Sequence, residues 1–267
     1  MNALGRLRYM AVALLTKAIE VAVLAKIRVM GGSPGTLDRW LLDATHRMML
    51  RQIDRMRADV PESVAVADAT AGIHNSQVAL SPSNPGWGQA AIDETTTIRL
   101  ALGDDCVAVH HIGSTAVAEL EAKPILDLAA ELSAPAFEQR IGAAIAALQG
   151  IGYRYVGVRG GLFFEKGPTP VRTHALQVHP AGSVVLLMLL LFRDLLREDS
   201  ALRDEYAATK AVIAFHLPDQ RWIYSLYKGH WIQERQWRHG AANSWVDWFV
   251  AQGIPQARFA KVKDLPG

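Results

Sequence analysis

A turn able to hold a phosphate and a carboxylate able to hold a metal lie close together in one stretch of this chain. Residues 106–132 read CVAVHHIGSTAVAELEAKPILDLAAEL. A β-branched run over 107–112 ends at Gly113-Ser114-Thr115, and a second apolar run over 125–132 carries Asp127. A strand has no packing use for Asp, because an unpaired buried carboxylate costs several kcal/mol or is forced to protonate. Asp127 is therefore a candidate metal ligand and catalytic residue. Backbone N–H groups and the hydroxyls of Ser114 and Thr115 could receive a phosphate, with Lys123 close in sequence. The simpler readings are a plain tight turn, and an Asp127 that pairs with Lys123 or caps that turn.

Side chains alternate along a strand, so Asp127, Ala129 and Glu131 share one face. A second carboxylate two residues after the first would stand about 6.6 Å away, Cα to Cα, close enough to share a Mg2+; one four residues on stands about 13 Å away. The near position is Ala129 and the far one Glu131, and Glu165 on another strand is one candidate for a compensating acid. His110 and His111 point to opposite faces, and His111 aligns with Val107 and Val109. Residues 172–179 read as a strand in which Gln177 and His179 share a face and His174 takes the other. Gln177 could hydrogen-bond a base or ribose. Arg193 and Arg197 are i,i+4 on a helix, and guanidinium matches carboxylate or phosphate through two bonds. Their plainer use is to tie a helix to the sheet. Tyr206 and Lys210, then Tyr224 and Lys228, repeat that spacing on two later helices.

The segments His111-Ile112-Gly113-Ser114-Thr115-Ala116-Val117 and Ala122-Lys123-Pro124-Ile125-Leu126-Asp127 resemble the signature of the GrpB family. The likeness continues in order through Pro82, Asn84-Pro85, Trp87, residues 172–179, Phe192-Arg193-Asp194-Leu195-Leu196-Arg197 and both Tyr-x-x-x-Lys pairs, covering roughly 78–235. That family is placed in the nucleotidyltransferase superfamily, where a Gly-Ser turn lies about a dozen residues before the first metal-binding Asp. Here twelve residues, Thr115 to Leu126, separate Ser114 from Asp127. The resemblance implies an α/β (α+β) fold, a nucleotidyltransferase-like mixed sheet flanked by helices. It implies that Gly113, Ser114, Thr115, Lys123, Arg193, Lys210, Tyr224 and Lys228 bind a nucleoside triphosphate. Asp127, as metal ligand, and Ser114 would then act in nucleotidyl transfer with Mg2+, by in-line attack of an unknown acceptor on the α-phosphate. His111, His174 and Gln177 are further candidates.

The chain departs from the family pattern in several places. Ala129 stands where nucleotidyltransferases carry a second acid. Val117-Ala118-Glu119-Leu120 replaces Val-Pro-Gly-Leu, which should change the turn and put a negative charge near the phosphate. Ala175 and Gln177 replace two histidines of a Thr-His-His-Leu-His-Val strand. Ala129 and the missing histidines favour the alternative, a non-catalytic nucleotide- or partner-binding module on the same fold, while the retained Asp127, Gly113-Ser114 and Lys228 favour nucleotidyl transfer.

The elements that position these residues follow from the rest of the chain. Residues 4–30 have no Gly or Pro between Arg6 and Met30 and read as a long helix. Lys17 and Glu20 interrupt its middle, against a membrane span, which needs about 20 largely uncharged residues. We expect it to pack on the domain or on another subunit, with a membrane-surface helix or an uncleaved targeting segment as the alternative. A break at Gly31-Gly32-Ser33-Pro34-Gly35 leads to a helix over 37–58, capped by Thr36 or Asp38, with Trp40, Leu41, Ala44, Met48, Ile53 and Met56 as its apolar stripe. Residues 60–75 read as a connector. A strand at Val78-Ala79-Leu80, a helix over 88–102, the two strands above and a helix over 135–149 come next. Then follow a strand pair over 153–158 and 161–165, the 172–179 strand, a core-crossing apolar helix over 184–197, and helices over 201–215 and 221–234. The tail places Trp245, Trp248 and Phe249 in a short helix. The expected domains are an N-terminal helical extension, 1–75, a GrpB-like domain, 76–240, and a tail helix, 241–267.

Composition narrows the class. The 267 residues are 50% hydrophobic and 20% charged, ordinary for a folded soluble protein. A net charge of +2 gives no direct nucleic-acid signal. The single Cys106 excludes an internal disulfide and a Cys-type zinc site, and suits a reducing compartment, so a cytoplasmic location is expected.

Overall fold

The computed structural model describes residues 3–30, 33–59, 72–74, 76–241 and 250. In chain order its elements are α1 (Ala3–Met30), α2 (Thr36–Ala58), β1 (Ile73–His74), α3 (Gly86–Leu102), β2 (Cys106–Ile112), β3 (Leu126–Leu132), α4 (Ala134–Gln139), α5 (Ile141–Gly150), β4 (Arg154–Val158), β5 (Leu162–Lys166), β6 (Val171–Arg172), β7 (His174–Pro180), α6 (Val184–Glu198), α7 (Ser200–His216) and α8 (Arg221–Gln236). They form two compact units. Of the described residues, 3–59, 76–78, 205–241 and 250 make a helical unit, and 72–74 and 79–204 make a unit built on the sheet. The helix expected near Trp245, and most of the 60–75 connector, lie outside the described residues.

The sheet is mixed, with strand order β2-β3-β7-β5-β4. Only β3 and β7 run parallel among its neighbours. Alternation along the strands gives two different faces. On one, Leu128, Ala130 and Leu132 of β3, Leu176 and Val178 of β7, and Leu162 and Phe164 of β5 pack with Ile98 and Leu102 of α3 and Ile145 and Leu148 of α5. Each such Leu or Ile contributes about 1.5–3 kcal/mol over its exposed state. On the other face, Ile112 and Ala129 meet Leu186 of α6, with Leu189 and Leu190 beside them.

Several expected elements differ. Residues 78–80 form no strand; Ser81 alone bridges Ala122, with N–H to O bonds of 2.8 and 3.0 Å in the two directions. The 172–179 strand breaks at Thr173, whose N–H turns to Lys166 O (2.9 Å), so β6 pairs with β1 and β7 joins the main sheet. The 135–149 helix breaks at Arg140 (φ −120°), whose guanidinium holds Asp105. α6 does not cross the core. It lies along the sheet with Val184 48% and Leu187 53% exposed, because its apolar run exceeds what one sheet face can cover.

In the helical unit α1 and α2 pack together and α8 packs on both. The buried stripe of α2 is Leu42, Thr45, His46, Met49, Gln52, Ile53 and Met56, a 3.6-residue period that passes through polar positions; Trp40, expected inside, is 60% exposed. The reason is a buried chain of bonds. His46 Nε2 lies 2.9 Å from Glu234, His46 Nδ1 lies 2.9 Å from His230 Nδ1, and His230 Nε2 lies 3.0 Å from Glu20. Burial holds the His46 imidazole below its usual range, and the bond to Glu234 opposes that shift. At the start of α2 the cap is Gly35, whose N–H donates to the Asp38 carboxylate (3.0 Å); Lys26 of α1 holds the same carboxylate at 2.8 Å.

Candidate functional site

The sheet register sets Asp127 opposite Ile112, one residue before the turn. Gly113 takes φ +71°, and a Cβ there would stand 2.6 Å from Asp127 Oδ2 and 2.8 Å from Asp127 Cβ. Glycine is required twice over, for its backbone angle and for the carboxylate lying on it. The turn over Ser114–Ala116 is closed by Ala116 N–H to Gly113 O (3.3 Å) and Val117 N–H to Ser114 O (3.2 Å). The Ser114 and Thr115 N–H groups, first in the turn, find no carbonyl inside it. Ser114 is half-buried, and no hydrogen bond or ion pair to the Asp127 carboxylate occurs among the described residues. The Thr115 hydroxyl is tied inward instead, 2.9 Å from His111 Nε2 and 3.5 Å from Ile125 O. Burial pushes the His111 imidazole down to about 4; the Asp127 carboxylate opposes this, and the Arg197 and Arg193 charges reinforce it. His111 is therefore neutral at pH 7.

Two arginines of α6 hold this turn from behind. Arg193 donates to His111 O (3.1 Å) and binds Asp194 with its other nitrogens (2.7 and 2.9 Å). Arg197 donates twice to Ala116 O, at 3.0 and 2.8 Å. Their i,i+4 spacing thus straddles the loop, gripping carbonyls on either side of Gly113-Ser114-Thr115. The Val117-Ala118-Glu119-Leu120 segment keeps a turn that suits glycine: Glu119 holds φ +63°, and its carboxylate, 80% exposed, pairs with Arg203 at 3.3 Å.

A protein-held pair of metals does not fit here. Ala129 is fully buried against Ile112 and Leu186, so the position for a second carboxylate is a sealed apolar contact. Glu131 accepts the Gly182 N–H (2.9 Å) and lies 3.8 Å from His110 Nε2. Glu165 is held by Arg172 at 2.6 Å and Arg154 at 3.0 Å, and so does not complete the set. No cluster of three or more His, Cys, Asp or Glu suited to a metal occurs among the described residues. Asp127 fits a different case, one carboxylate meeting a Mg2+ whose other ligands are phosphates and waters.

The remaining candidates divide. Lys123 is half-buried at the end of the connector, its carbonyl taken by Ile125 N–H (2.7 Å). Gln177 faces the α6 side of the sheet beside Ala129 and Phe163, half-exposed. His174 faces the α3 side, its Nδ1 2.8 Å from the Thr173 hydroxyl and its Nε2 3.9 Å from Glu94. Lys210, Tyr224 and Lys228 belong to the helical unit. There each Tyr-x-x-x-Lys pair becomes a cation over a ring, Lys210 Nζ 4.8 Å from the Tyr206 centroid and Lys228 Nζ 6.0 Å from that of Tyr224. Lys210 is 1% exposed, which its sequence position did not foretell.

Sequence reasoning named His174 and Glu165 singly and missed the polar groups around them. Glu94 binds Lys166 at 2.9 Å with His174 alongside, and a cavity of about 140 Å³ is lined by Arg154, Glu165, Lys166, Thr169, Val171 and Arg172 with Gly152 and Gly167. Nothing in the spacing of these residues signals it; only the antiparallel pairing of β5 with β7 brings Lys166 to His174.

A five-stranded mixed sheet flanked by helices, with a Gly-Ser turn held by two arginines of α6, makes this an α+β protein. A family profile described as GrpB protein matches residues 77–238, and the chain belongs to this family. It is 30% identical over 170 residues to UPF0157 protein YqkA of Bacillus subtilis (strain 168), which covers 60% of this chain and 48% of that protein. It is 35% identical over 158 residues to UPF0157 protein PA4798 of Pseudomonas aeruginosa, covering 57% of this chain and 63% of that protein. The chain thus spans about half to under two-thirds of these relatives' length. The crystal structure of conserved protein GrpB from Enterococcus faecalis superposes with a TM-score of 0.49 at 27% identity, over 58% of this chain and 98% of that one.

Proposed function

We propose that this chain binds the phosphate chain of a nucleoside triphosphate at the Gly113-Ser114-Thr115 turn. Asp127 meets the Mg2+ that the triphosphate brings, and the chain acts as a binding module rather than a nucleotidyltransferase. The supporting observation is the Asp127 carboxylate lying on Gly113 with no hydrogen bond or ion pair among the described residues, beside a turn whose first N–H groups find no carbonyl inside it. The guanidinium charges of Arg193 and Arg197 behind the turn favour an anion there. The buried Ala129 argues against transfer, since an in-line displacement clamped by two metals needs carboxylates at both positions.

Calorimetric titration of ATP, GTP, CTP and UTP with Mg2+ tests this on wild type and Asp127→Ala. The expected result is Mg2+-dependent binding weakened about ten-fold or more in the variant, roughly the loss of one charge-assisted contact. Incubation with α-labelled nucleotide is expected to leave the label on nucleotide. Labelled product that disappears in Asp127→Ala would favour the transferase reading, and no nucleotide binding at all would sink both.

A further inference from the structure

α1 has its apolar side outward. Its buried face, Tyr9, Ala13, Thr16, Glu20, Val23 and Ile27, includes two polar residues. Its outward face carries Leu7, Leu14, Leu15, Val21 and Val29, exposed by 60, 55, 53, 54 and 85%, with exposed alanines between them. At 100° per residue these five fall in a stripe of about 120°. A solvated helix face is normally polar, and a continuous exposed apolar stripe marks a contact surface.

The charges around the stripe identify what it contacts. Arg8 and Lys26 lie along one edge, and Arg6, Lys17 and Arg28 along the other. Glu20, the one acid of the helix, is buried. Lys26 is paired with Asp38 at 2.8 Å, Lys17 with Glu20 at 3.3 Å, and Arg6 lies 4.0 Å from Asp219; these three side chains stay 51, 43 and 43% exposed. Arg8 and Arg28 are exposed at opposite ends. A second copy would set basic edge against basic edge in either orientation. No described helix is long and apolar enough to cross a membrane. The geometry points to a bilayer surface rich in anionic lipid, with α1 in its plane, the apolar stripe at the acyl boundary and the basic edges at headgroup phosphates. This inference is independent of the nucleotide site.

Co-sedimentation of the full chain with phosphatidylcholine vesicles, with and without about one-third phosphatidylserine, tests it. Wild type is expected on the anionic vesicles, about ten-fold less on neutral ones, with binding that weakens as salt rises. The double variant Leu14→Ser/Val21→Ser, at exposed positions, keeps its helical circular dichroism and loses about ten-fold or more of that binding. Wild type remaining in the supernatant with anionic vesicles, or a double variant that binds like wild type, overturns the proposal. So does a wild-type dimer in solution that the double variant dissociates, since a second copy then covers the stripe.

Discussion

Glu119 holds a left-handed backbone angle at the position where the family pattern has glycine. For an L residue with a side chain that conformation costs about 1–2 kcal/mol. Its exposed pair with Arg203 offsets little of this. Glu119→Gly is expected to raise stability by about 1 kcal/mol, read as a higher denaturant midpoint with unchanged slope. A second residue-scale prediction concerns acid. Burial pushes both His111 and His179 down to about 4 from 6.5. Between those values the unfolded chain binds protons that the folded one refuses, so stability falls as pH drops from about 6.5 towards 4, by roughly 1–3 kcal/mol per ring. Urea melts at several pH values should show the fall, and His179→Leu should flatten it. The sequence placed Gly113, Ser114 and Asp127 together, because turn chemistry and strand alternation are local. It could not show that Thr115 turns inward to His111, or that Ala129 is sealed, because both depend on what packs across the sheet.

At the scale of elements, α6 decides how the turn is held. Arg197 makes two bonds to one carbonyl, and hydrogen bonds to charged groups contribute about 1.5–3 kcal/mol. Arg197→Met is expected to lower stability within that range and to speed amide hydrogen exchange at Ala116 and Val117, while exchange in β7 is unchanged. If exchange at the turn stays as slow as in wild type, the clamp is not what orders it. Most helices and strands were legible from periodicity and from Gly and Pro. The failures share one cause. The break at Arg140, the surface course of α6 and the polar stripe of α2 are set by partners distant in sequence, Asp105, the sheet face and His230.

At the scale of the molecule, the chain leaves its first helices, builds the sheet unit, and returns at Glu205 to the helical one. That return assembles Glu20, His46, His230 and Glu234, with the partners of the His46–Glu234 bond 188 residues apart in sequence, a grouping no local pattern announces. In that unit Lys210 and Lys228 lie over their own tyrosines. The nucleotide site proposed above draws on turn and strand residues of the sheet unit. The most direct test is amide chemical-shift mapping on the 15N-labelled full chain during titration with MgATP. Shifts concentrated at Gly113 to Val117 and at Asp127, and absent without Mg2+, are the predicted result. Shifts concentrated at Lys166, Arg172 and His174, or none at saturating nucleotide, would contradict the account.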